Sequence, residues 1–100
     1  MEAKLVKIDA VIGKYIFAQD DFFLGKIKNI VLDPHGWKVS HLEIEIDKDA
    51  AKELFGTKKS FLNNLAISAV KDGERGVSDR GIELQVTKGQ LNIYLRPASQ

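Results

Sequence analysis

Hydrophobic and polar positions along this chain fall mostly into period-two runs, which predicts a β-rich fold. Residues 11–18, Val-Ile-Gly-Lys-Tyr-Ile-Phe-Ala, are rich in β-branched and aromatic side chains and suit a strand. The polar cluster Gln19-Asp20-Asp21 reads as a turn. Residues 23–32 form a second strand candidate, closed by Asp33-Pro34-His35-Gly36. Proline fixes φ there and glycine accepts a positive φ. A third strand is expected over residues 37–46. Its second half alternates cleanly, with Leu42, Ile44 and Ile46 inward and His41, Glu43 and Glu45 outward.

The first half of that strand is out of phase with the second. Trp37 and Val39 occupy odd positions, whereas the later apolar residues are even. A one-residue slip in a period of two points to a β-bulge or a sharp coil near Ser40. The second strand carries the same fault, since Ile27 is odd while Ile30 and Leu32 are even. Bent, bulged strands are what a small closed barrel needs.

A helix is expected over residues 47–55. Asp47 can cap it by accepting a free backbone N–H of the first turn. Ala51, Leu54 and Phe55 share a face, and Gly56 can end it in the left-handed conformation. Residues 57–64 are polar apart from Phe61 and Leu62, residues 65–70 form a short apolar segment, and residues 71–79 read as a loop. The tail reads as a hairpin: Ile82, Leu84 and Val86 face one way, matched by Leu91, Ile93 and Leu95, with residues 87–90 as the connection. The expected fold is mainly β, a small bulged barrel of about six strands with one short helix. It is a single domain over residues 1–100, with its core at about 5–97 and a loose tail at 98–100.

Composition narrows the function classes. Of 100 residues, 44% are hydrophobic and 29% charged, as in ordinary globular proteins. The first fifty residues hold seven basic and nine acidic side chains, the last fifty eight and five. That asymmetry is too weak to argue for nucleic acid by itself. With no cysteine, disulfides, thiolate chemistry and cysteine-ligated zinc are excluded. No run approaches the ~20 apolar residues of a membrane span, and the N-terminus lacks the apolar core of a signal peptide. The expectation is a cytoplasmic protein that does not insert into membranes.

Candidate chemistry is sparse. Gly13-Lys14 and Gly25-Lys26 lack the GxxxxGK[ST] spacing of a phosphate loop, and more strand follows each pair. Glycine in a strand marks a bulge or a tight approach of backbones, so Gly13, Gly25 and Gly36 are read as structural bends. His35 and His41 are the only histidines, too few for a metal site without converging carboxylates such as Glu43 or Glu45. Asp20 and Asp21 sit in a turn, where such residues are common for backbone reasons. The serines have no nucleophile-elbow context. The reading is non-enzymatic, with no catalytic residue, metal or cofactor.

Surfaces are more informative. Phe22 and Phe23 lie at a turn, Trp37 follows another, and Tyr94 is expected to point outward on the last strand beside Asn92 and Arg96. Aromatics in exposed clusters mark protein interfaces, so these four are the interface candidates. Trp37 and Phe61 could equally plug the barrel ends. The alternative is an RNA surface, with Arg75, Arg80, Lys88 and Arg96 as the nucleic-acid candidates and Tyr94 stacking a base.

The stretch "VIGKYIFAQDDFFLGKIKNIVLDPHGWKVSHLEIEI" resembles the opening half of a PRC-barrel domain. The shared order is Val11-Ile12-Gly13-Lys14, a polar turn, Leu24-Gly25-Lys26-Ile27, an acidic turn with Gly36, then an alternating strand. "LAISAV", residues 65–70, is similar to a later strand of the family, with Ala66 where proline is usual. "RGIELQV" and "QLNIYLRP" are similar to stand-alone archaeal members. The resemblance implies a small β-barrel that acts as an adaptor rather than a catalyst, as a homodimer with another protein as partner. For the archaeal members that partner is the anchor of the tubulin-like division ring. A ribosome-assembly role like that of the maturation factor RimM is the alternative, although those proteins carry a second, N-terminal barrel that is not expected within these 100 residues.

Overall fold

The Val11–Phe17 region divides into two elements. In the computed structural model, which describes residues 5, 7–72 and 76–97, a single helical turn α1 (Ile8–Val11) precedes a short strand β1 (Tyr15–Phe17). The expected strand over residues 11–18 is therefore only its last part. Gly13, at φ +88°, redirects the chain between the two elements. The long hairpin follows: β2 (Phe23–Asp33) and β3 (Lys38–Ile46). Trp37 belongs to the turn rather than to the strand, at φ +53° beside Gly36 at +86°.

Both slips of hydrophobic phase are β-bulges. Along β2–β3, Ile27 faces Ile44 and Asn29 faces Glu43, so Lys28 is extra. Further out, Val31 faces His41 and Leu32 faces Val39, so Ser40 is extra. The β1–β2 ladder also slips, because Ile16 faces Gly25 while Phe17 faces Phe23.

Helix α2 (Lys48–Phe55) forms where its caps place it. The Asp47 carboxylate accepts the Asp49 N–H at 3.1 Å, and Gly56 stops the helix at φ +72°. Its Ala50 and Ala51 are buried against the sheet. Strand β4 (Phe61–Ala66) begins earlier than the apolar segment at 65–70 suggests, and a 3₁₀ turn (Ile67–Ala69) ends it. Then come β5 (Val77–Ser78), β6 (Gly81–Glu83), a 3₁₀ turn (Lys88–Gln90), α3 (Leu91–Tyr94) and β7 (Leu95–Pro97).

The expected C-terminal hairpin does not form. Residues 81–83 pair instead with β1, in parallel, and residues 95–97 pair with β4. Between them Leu91 and Leu95 are buried while Ile93 is 67% exposed, the spacing of a helical turn rather than of a strand. Tyr94 accordingly sits on α3, half-buried against the core, and not on an outward strand face.

The result is one mainly antiparallel sheet of seven strands in the order β5-β6-β1-β2-β3-β4-β7. Among the described residues no ladder joins β5 to β7. The sheet does curl strongly. The segment after β4 reaches the β6 side: Val70 bridges to Leu84, Lys71 N–H donates to Glu83 O at 3.1 Å, and Gln85 N–H donates to Ala69 O at 2.9 Å. Ile16, Leu24, Ile27, Ile44, Ile46, Leu65, Leu84 and Leu91 fill the interior. Among them lies one buried polar side chain, Asn63, which is 2% exposed and whose Oδ1 has no hydrogen-bond partner among the described residues.

Candidate interaction surfaces

The aromatic candidates are spread over three places. Phe23, half-buried at the start of β2, packs edge-on against Tyr15, with ring centroids 5.3 Å apart, and lies 5.4 Å from Phe17. Phe22 packs against the core with the Lys88 ammonium 5.1 Å from its ring centroid. Tyr94 lines a shallow groove of about 310 Å³ on the outer sheet face with Ser40, His41, Asn64 and Arg96. Only Trp37 among the four is bare, 76% exposed at the tip of the β2–β3 hairpin. The Ser40 bulge shapes that groove, because the extra residue lets the Ser40 Oγ and the adjacent His41 Nδ1 approach to 3.1 Å.

The basic candidates are tied into the fold. The Arg80 guanidinium bonds both oxygens of Glu83, at 2.9 and 3.0 Å, and reaches Asp21. It also lies 4.1 Å from the Phe17 ring centroid. The hydrogen bonds to Glu83 and then to Asp21 raise the Arg80 pKa further above its usual value. The bidentate hydrogen bond from Arg80, helped by Ser78, lowers the Glu83 carboxyl to about 2. Lys88 pairs with Glu53, and its backbone N–H bonds the Asp20 carboxylate at 3.1 Å. Arg96 turns its guanidinium onto the Leu95 carbonyl at 2.8 Å and the Ile93 carbonyl at 3.3 Å. Arg75 lies outside the described residues.

The bend candidates differ in kind. Gly13 and Gly36 have positive φ. Gly25 does not, but it sits where β2 crosses close to the end of β3, and a Cβ there would lie 2.1 Å from the Glu45 carbonyl oxygen.

Two features escaped the reading of the sequence. The first is the outer half of the β2–β3 hairpin. Strand β1 pairs with residues 23–26 only, and β4 reaches no further than His41. Residues 29–33 and 38–40 therefore pair with one another and with no other strand among the described residues. They carry Ile30, Val31, Leu32 and Val39, half-buried or exposed. No local signal marks it, because the reach of β1 and β4 decides where the pairing stops. The second is an apolar groove of about 260 Å³ at the base of this arm, where Ile8, Val11, Ile30, Val39, Ile67 and Val77 meet.

Among the described residues no group of three or more His, Asp or Glu side chains could hold a metal ion, and no helix is long and apolar enough to cross a membrane. No family model matches the chain, and no curated protein matches its sequence.

Proposed function

We propose that this protein is a non-enzymatic, PRC-barrel-like adaptor that dimerises and binds another protein in the cytoplasm. The observation that carries this reading is the apolar arm formed by the outer β2–β3 hairpin. It carries Leu32, 40% exposed, and ends in a bare indole, and exposed apolar and aromatic side chains of this kind mark binding sites. The barrel part is supported by three bulged crossings, by the Gly25 approach, and by the segment after β4 that bonds back to residues 83–85. Following the resemblance, the partner is the anchor of an archaeal division ring.

The alternative, an RNA-associated ribosome-assembly factor, draws on Arg80, Lys88 and Arg96. Each of these is engaged within the molecule, and so the adaptor reading is preferred. The test is affinity capture from the source cell's lysate, at low and high salt and after nuclease, with the wild-type chain beside Trp37→Ala. A division protein retained after nuclease and lost with Trp37→Ala is the expected result. Capture of RNA and ribosomal proteins that nuclease abolishes would replace the adaptor with the assembly factor.

A further inference from the structure

The hairpin arm exposes backbone as well as side chains. Toward β1, the last bonds made by β2 are Gly13 N–H to Ile27 O at 2.7 Å and Ile27 N–H to Lys14 O at 2.9 Å. Beyond them, the outer edge of residues 29–33 has no backbone partner among the described residues. An open edge of this kind templates pairing with another chain unless lysine, proline or a bulge blunts it. Here the blunting devices stand at the two ends, the bulged Lys28 and Pro34. The five residues between them carry neither. Ile30 and Val39 hold one face of the arm against the core, but over residues 29–33 the arm is only two strands wide, and a third strand would add backbone partners along its edge.

The segment is complementary to itself. In an antiparallel pair related by a two-fold axis, the residue on the axis faces its own copy. With Val31 on the axis, Ile30 faces Leu32 of the second copy on both sides of it. Asn29 then faces Asp33, an amide donor against a carboxylate. Both polar groups have capacity left. Asn29 uses its side-chain NH₂ once, toward Glu43 at 2.8 Å, and a second N–H remains. Asp33 receives His35 on Oδ1 only. We infer that residues 29–33 pair antiparallel with the same segment of a second copy, Val31 facing Val31 across the two-fold axis, so that two sheets become one. This rests on the dimeric part of the proposed function and names its surface.

The cysteine-free sequence makes the register directly testable. Facing residues of a non-hydrogen-bonded antiparallel pair have Cα atoms about 4.5 Å apart, within the span of a disulfide. The single variants Val31→Cys and Ile93→Cys, the latter on α3 and more open to oxidant than the half-buried residue 31, would be oxidised under identical conditions and read on non-reducing gels. Wild type and Val31→Lys would be compared by sedimentation, with circular dichroism as the check of folding. The expected result is a wild-type dimer, rapid cross-linking at residue 31 but not at residue 93, and a folded monomer for Val31→Lys, where two like charges meet. A wild-type chain that stays monomeric across the micromolar range overturns both this interface and the dimeric reading. A dimer that cross-links no faster at residue 31 than at residue 93 overturns the interface alone.

Discussion

The α-carbon of Gly25 stands so close to the Glu45 backbone that any Cβ would lie 2.1 Å from the Glu45 carbonyl oxygen and 3.1 Å from the Asp47 amide. No flexible side chain can yield there, since both neighbours are backbone. Gly25→Ala should therefore force β2 and β3 apart at their inner end, at a cost of about 3 kcal/mol or more. Gly56→Ala is the comparison. Its positive φ is strained for alanine, but the space around it is open, and about 1 kcal/mol is expected. Urea unfolding of both variants checks the order, and equal losses would contradict the close-approach argument.

Asn63 points into an apolar interior with its carbonyl oxygen unpartnered among the described residues. Burying a polar atom without a hydrogen bond costs stability, while an apolar side chain of suitable shape does not carry that cost. Asn63→Val, also a better strand former, should stabilise the protein by about 1 kcal/mol. Thermal unfolding reads this as a higher Tm, and a drop would show that the amide has a partner it needs.

Glu83 is held near pKa 2 in the folded chain, against an ordinary value of 4.5, chiefly by the Arg80 hydrogen bonds. Between those two values the unfolded chain binds the proton and the folded chain does not, so stability rises with pH there. The contribution is complete above about pH 4.5 and is lost as pH falls towards 2. The stability gap between wild type and Glu83→Gln should thus be constant at neutral pH and close in that acid window. Denaturation at a series of pH values measures it. A gap unchanged at pH 2 would place the effect elsewhere.

Trp37 combines a left-handed backbone with a bare side chain. A bulky residue with positive φ is strained, and asparagine tolerates that conformation better. Trp37→Asn should leave the fold intact and raise its stability by up to about 1 kcal/mol, while weakening partner capture. Stability and binding moving in opposite directions is the expected pattern for a residue kept for contact. A loss of both would assign Trp37 to the fold.

The bulges at Lys28 and Ser40 were legible because strand faces alternate strictly, so that one extra residue shifts every later side chain. Helix α2 was legible from its two caps. The tail was not. Leu91, Ile93 and Leu95 alternate like a strand, yet Leu91 and Leu95 are also four apart, and so short a run satisfies both periods. The arbiter was the Thr87-Lys88-Gly89-Gln90 spacing, a helix-start signature. Gln90 Oε1 indeed accepts the Thr87 N–H at 2.9 Å. Of the candidate surface, Trp37 was visible from its place after a turn. The open edge beside Val31 was not, because pairing partners distant in sequence decide which strand runs past its neighbours.

The parallel pairing of β1 with β6 sets Ile16 against Ile82, residues from opposite ends of the chain. During synthesis β1, β2 and β3 emerge first, yet one flank of β1 has no neighbour until β6 has been made. The interior around Ile16 therefore stays open to solvent while most of the chain is translated. Contacts so distant in sequence also slow the search for the native state. The nascent chain is thus exposed to chaperones, and to other copies of itself, until residues 81–83 have been made.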